Sequence, residues 1–161
     1  MIRSMPAPRW SVAMDDRPVE WHRGEYTVST RRDRLDADRI LGLLRGEHWG
    51  GSLTRPVLER AVAHSVSFGL YHEAELVGFG RVVTDLATYG YLTDVAVASE
   101  HRGRGLGAWL IQCMLDHPEL QGFRRLALVT RDAEQLYARA GFTPGAGAVV
   151  YMERRPEEGQ A

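Results

Sequence analysis

The stretch Asp94-Val95-Ala96-Val97-Ala98-Ser99-Glu100-His101-Arg102-Gly103-Arg104-Gly105-Leu106-Gly107 decides the fold. Val95 and Val97 carry the β-branched signature of a strand. Gly103, Gly105 and Gly107 then stand directly before Leu106, Leu110, Cys113 and Met114. Those apolar residues recur at three- and four-residue steps, which predicts a helix. A glycine loop that feeds a helix start exposes backbone N–H groups with no intrahelical partner. The helix dipole adds partial positive charge at the same end. Such a place suits an anion, and a phosphate above all. The spacing fits neither the dinucleotide fingerprint G-x-G-x-x-G nor the P-loop, and no Lys-Ser or Lys-Thr pair follows it.

Outward from this stretch, the elements follow in order. Met1 to about Trp21 holds Pro6, Pro8 and Pro18 without periodicity and reads as a leader, partly ordered at best. Residues 22–161 then form a single domain. Tyr26 to Thr30 alternates as a strand, and Leu35 to Arg45 has helical spacing with Asp36 near its start. His48 to Ser52 is a loop. Thr54 and Pro56 open a second helix. Ser67–His72 and Leu76–Thr84 make a hairpin, and Tyr89–Val97 is the next strand. The helix from about Gly105 to His117 stops at Pro118. Arg125–Thr130 reads as a buried strand. Asp132 caps a helix over Ala133–Ala140 closed by Gly141, and Ala148–Arg154 is a final strand.

Composition narrows the function classes. The chain of 161 residues is 44% apolar and 25% charged, the profile of a globular domain. A formal net charge of −1 favours neither nucleic acid nor an anionic membrane surface. No apolar run approaches the roughly 20 residues of a membrane helix, and Met1–Pro8 holds no apolar signal core. Cys113 is the one cysteine, so no intramolecular disulfide forms, and a cytoplasmic location is expected. The six histidines lack H-E-x-x-H spacing, and no metal site is expected. All 20 basic residues are arginine, so the chain carries no lysine amine of its own.

Arg102-Gly103-Arg104-Gly105-Leu106-Gly107 resembles the acetyl-CoA loop of the GNAT family of N-acetyltransferases: Arg or Gln, two residues, Gly, one residue, then Gly or Ala. Leu136-Tyr137-Ala138-Arg139-Ala140-Gly141-Phe142 is similar to the family's L-Y-x-x-x-G-F segment, on the expected helix. The resemblance covers Tyr26 to about Arg154. It implies an α/β (α+β) acetyltransferase fold, a mixed central sheet of about six to seven strands flanked by helices. It implies that Arg102, Gly103, Arg104, Gly105, Leu106, Gly107 and Ala108 hold the pyrophosphate of acetyl-CoA. Val95, Ala96 and Val97 would offer backbone groups to the pantetheine arm and the acetyl carbonyl. Tyr137 would stand near the sulfur as general acid.

The acceptor side is less determined. Strand alternation puts Thr93, Val95 and Val97 on one face and Leu92, Asp94 and Ala96 on the other. Asp94 is a candidate base or a structural carboxylate, and a water relay through Tyr91 or Asp94 is equally open. Trp49 is a candidate wall of the acceptor pocket. Arg81 is a candidate partner for a substrate carboxylate, or for Asp85 or Asp94. The expected reaction moves acetyl from acetyl-CoA to an amine, in a monomer or homodimer. A protein acetyltransferase and a non-catalytic acyl-CoA sensor stand as alternatives.

Overall fold

The computed structural model describes residues 17–47, 53–145 and 150–154. Their contacts divide into two compact units, 1–129 and 130–161. The first unit holds a six-stranded sheet in the order β1-β2-β3-β4-β5-β6. The strands are β1 Glu20–Arg23, β2 Tyr26–Ser29, β3 Val66–His72, β4 Glu75–Thr84, β5 Tyr89–Val97 and β6 Arg125–Ala127. Neighbours pair antiparallel except β5 and β6, which are parallel. That mixed sheet was expected from the sequence. β1 was not: it begins at Glu20, inside the stretch read as a leader, and forms a hairpin with β2 across Gly24 at φ 59°.

Helices cover both faces. Asp36 caps α1 (Ala37–Arg45) by accepting from the Asp38 and Arg39 amides. Helix α2 (Arg55–Ala63) starts after Thr54, whose side chain makes no cap bond. Ile40, Leu41 and Leu44 of α1 and Leu58 of α2 pack with Tyr71, Leu76, Phe79 and Ala96 of the sheet. Helix α3 (Leu106–Leu115) takes the opposite face and packs on β3, β4 and β5. Its Met114 Sδ lies 3.0 Å from where a Cβ on Gly80 would stand, and Gly80 alternates with the α1-facing Phe79. Gly69 is required differently: a Cβ there would sit 2.5 Å from Tyr71 Oη, because the Tyr71 ring folds back over it. Burial pushes the Tyr71 phenol up to about 12.

The β4–β5 connection is tied by one carboxylate. Asp85 accepts from the Ala87, Thr88 and Tyr89 amides and the Thr88 hydroxyl. Those bonds, led by the Thr88 hydroxyl, hold its pKa well below the usual carboxylate range. Leu86, at φ 58° in this turn, donates its amide to the Thr84 hydroxyl at 2.8 Å.

In the second unit, α4 spans Glu134–Arg139, shorter than expected. Asp132 does not cap it. The Thr130 hydroxyl accepts from the Ala133 amide at 3.1 Å, and Gly141 closes the helix at φ 91°. The expected strand over Arg125–Thr130 stops at Ala127. The expected final strand over Ala148–Arg154 is not seen: residues 150–154 lie in no regular element, and 146–149 fall outside the described residues.

Candidate active site

Gly105 is the N-cap of α3, in the left-handed region at φ 73°, and Gly103 adopts φ 74°. No side chain caps this helix. Helix geometry therefore leaves the Leu106, Gly107 and Ala108 amides without intrahelical acceptors, and no side chain among the described residues takes their place. A Cβ at Gly103 or Gly107 would meet no heavy atom within 4 Å. Gly107 has no positive φ, so neither backbone conformation nor protein packing demands a glycine there. A side chain at Gly107 would enter space free of described protein atoms, beside the helix start. A phosphate fits that cradle, since anions bind at helix N-termini through these groups.

Arg102 anchors the loop from below. Its Nε donates to the Val97 carbonyl at 2.9 Å, and its Nη2 pairs with Glu47 at 2.6 Å. Arg104 donates to Tyr26 Oη at 3.1 Å. The loop is thus braced against the last residue of β5 and against β2.

β5 carries the second feature. Its pairing with β4 runs Arg81↔Thr93 and then Phe79↔Ala96, so Asp94 and Val95 together oppose Gly80. This is a β-bulge, and Asp94 sits at φ 56° within it. The expected alternation is therefore corrected. Opposed residues share a face, so Thr93 and Ala96 both lie on the face of Arg81 and Phe79. An extra residue resets the period, and nothing in a propensity pattern marks it. On its other side, β5 pairs with β6 only from Tyr89 to Tyr91. Beyond that pairing the outer edge of β5 has no strand partner among the described residues: alternation turns the peptide groups of Val95 and Val97 outward there and those of Ala96 toward β4, and the Val97 carbonyl accepts from Arg102.

Arg81 and Asp94 form an ion pair across the bulge. The Arg81 Nε donates to Asp94 Oδ2 at 2.5 Å, with side-chain exposures of 16% and 13%. The Thr93 hydroxyl donates to Asp94 Oδ1 at 3.3 Å. Of the partners considered for Arg81, Asp94 is the one it has. Trp49 lies outside the described residues, as does the loop around it. In the second unit, half-buried Tyr137 stacks edge-to-face with Phe142 at 6.0 Å. The Phe142 amide donates to the Tyr137 carbonyl at 3.1 Å.

Residues 6–142 match the model of the acetyltransferase (GNAT) family. The chain belongs to this family. It is 36% identical over 146 residues to a protein of Gibberella zeae named as an acetyltransferase, covering 76% of this chain and 81% of that one. It superposes on the crystal structure of a GNAT-family acetyltransferase of Xanthomonas campestris pv. campestris with a TM-score of 0.77 and 42% identity. That match covers 81% of this chain and 93% of the other. Rv2747 of Mycobacterium tuberculosis, solved in complex with CoA, shares the fold at a TM-score of 0.64 and 23% identity, over 77% of this chain and 75% of that one. The GNAT fold expected from the loop and the element order is therefore the fold of this chain.

One supporting residue was missed by sequence reasoning. Arg23 of β1 donates from Nη1 to the Gly105 carbonyl at 3.5 Å, across 82 positions of sequence. The alternating Glu20-Trp21-His22-Arg23 before Gly24 was the available signal, masked by the prolines upstream.

Proposed function

We propose that this chain is an acetyl-CoA-dependent N-acetyltransferase that moves acetyl to a primary amine of a small molecule or peptide by direct attack. The observation that carries it is the uncapped glycine cradle of α3 set beside the open edge of β5. Acetyl-CoA supplies an activated acetyl group as a thioester. Arg102 to Ala108 hold its phosphates through amides and guanidinia. Val95, Ala96 and Val97 orient the pantetheine arm. An N–H of the bulged strand stabilises negative charge building on the acetyl oxygen. Tyr137, placed by its motif, protonates the departing thiolate.

The amine must be neutral to attack, so a proton has to leave it. Both Asp94 oxygens are engaged, by Arg81 and Thr93. We therefore assign the proton to water held near Tyr91 or Asp94, and to the Arg81–Asp94 pair the task of holding the bulge. A carboxylate-bearing acceptor could still meet the terminal nitrogens of Arg81, with Trp49 as pocket wall. The protein acts as a monomer or homodimer in the cytoplasm, without nucleic-acid or membrane partners. Among the described residues, no helix is long and apolar enough to cross a membrane.

The deciding experiment follows free CoA thiol released from acetyl-CoA with a panel of small amines, amino acids and peptides. Release with small amines or short peptides supports the assignment. Release only with folded protein acceptors would make it a protein acetyltransferase, and tight binding without any release would make it a sensor. Calorimetry that detects no acetyl-CoA binding at millimolar ligand would remove all three. Tyr137→Phe should lower turnover by on the order of 10²- to 10⁴-fold while leaving the acetyl-CoA Kd nearly unchanged. Unchanged turnover in a fully folded variant would take Tyr137 out of the mechanism.

A further inference from the structure

The hairpin β1–β2 ends against the glycine loop. In its register Arg23 opposes Tyr26, and both side chains reach residues of the loop. Among the described residues the Arg23 Nη1 donates only to the Gly105 carbonyl, at the limit of hydrogen-bond range, and both terminal nitrogens lie 3.8 Å from the place of a Gly105 Cβ. Arg104 donates to Tyr26 Oη and to the Glu100 carbonyl, again neutral acceptors. Tyr26 Oη in turn contacts His101 Nδ1 at 3.0 Å. Neither guanidinium has a carboxylate partner among the described residues, whereas Arg102 next to them has Glu47. Two cations thus stand at the positive end of a helix dipole, where cations are unfavourable. An anion bound at this helix end would offset that unfavourable charge.

We infer that Arg23, together with Arg104, grips a phosphate of the 3′-phospho-ADP end of CoA, which makes the first hairpin part of the cofactor site. The inference rests on the loop being the acetyl-CoA site. The phosphate is either one of the pyrophosphate pair or the 3′-phosphate. Arg23→Met removes the charge and keeps much of the aliphatic stem.

The test is calorimetry of wild type, Arg23→Met and Arg23→Lys with CoA and with dephospho-CoA, at low and moderate salt, beside melting curves without ligand. Arg23→Met should weaken CoA binding about tenfold and flatten its salt dependence. Its ligand-free melting temperature should hold or rise, because an unfavourable cation has left the helix N-terminus. Arg23→Lys should retain much of the affinity. Loss with CoA alone assigns the 3′-phosphate, and equal loss with both ligands assigns the pyrophosphate. An unchanged Kd and salt dependence would overturn the inference. So would weaker binding with a lower melting temperature and an unaltered salt dependence, since Arg23 would then be a structural brace. Wild type that binds neither ligand would instead remove the loop assignment itself, and this inference with it.

Discussion

The glycine loop and the β5 bulge both use left-handed backbone, and they reach it by opposite means. At Gly103 and Gly105 the positive φ carries no steric penalty, because there is no Cβ. At Asp94 the same region is held by a residue with a side chain, at about 1 kcal/mol. The loop leaves its amides bare and waits for an outside acceptor. The bulge satisfies itself, with Asp94 tied to Arg81 and Thr93. One region is built for a ligand's charge and the other to hold a strand edge in place. The difference teaches that a binding backbone and a positioning backbone can share a dihedral and differ wholly in what surrounds it.

The largest effect should come from filling the cradle. Gly107→Val places a Cβ in open space, so folding should change by no more than about 0.5 kcal/mol. Acetyl-CoA affinity should fall by on the order of 10²-fold, the worth of one or two charge-assisted amide bonds. Calorimetry and a melting curve on one preparation check both halves. Affinity that survives the substitution would break the contrast, because the loop would then be as self-contained as the bulge.

At the bulge the balance reverses. Asp94→Ala strands the largely buried Arg81 charge and loses a residue type that tolerates positive φ. Stability should drop by about 2–4 kcal/mol in denaturant titration. Asp94→Asn keeps an acceptor and the left-handed tolerance, and should lose roughly half as much. Acetyl-CoA affinity should change far less than with Gly107→Val in either case. Equal losses for Ala and Asn would show that the pair's charge, rather than the backbone conformation, holds the bulge.

The smallest effect lies at the far end of α3, which serves as a control on both regions. His117 is 5% exposed, packed on Phe68 and Trp21, and accepts from the Glu119 amide. Burial lowers its pKa below the usual imidazole value. A depressed folded pKa gives stability that is full above the unfolded value, about 6.5, and is lost as pH falls below it. Wild type should therefore melt progressively earlier as pH falls below about 6.5. His117→Gln should remove that part of the acid sensitivity, with CoA affinity at pH 7.5 unaffected. A variant with the same pH dependence as wild type would take His117 out of the acid response.

The glycine loop was legible because glycine is a letter with a backbone meaning. Gly103, Gly105 and Gly107 before a helical pattern announce bare amides wherever they occur. The bulge was not legible, because Asp94 at positive φ looks like any strand residue, and alternation alone put Ala96 and Thr93 on opposite faces. β1 was hidden for a related reason: four residues beside prolines carry too little pattern, and the strand exists only because β2 offers it an edge. The start of α4 shows the same limit: Asp132 and Thr130 are both able to accept an amide there, and only the folded chain gives the Ala133 amide to Thr130.

By itself the sequence determined the element order over most of the chain, the side of α3 that is buried, and the glycine-rich helix start whose amides lack intrahelical partners. These depend on local properties: periodicity, φ preference and the unpaired amides of a helix start. The tertiary structure alone decided that Asp94 pairs with Arg81, that β5 parts from β6 after Tyr91, and that Arg23 reaches Gly105. Each of these joins residues from different strands or loops. Such contacts are set by strand register and hairpin packing, and a residue's neighbours in sequence do not encode which distant side chain will stand opposite it.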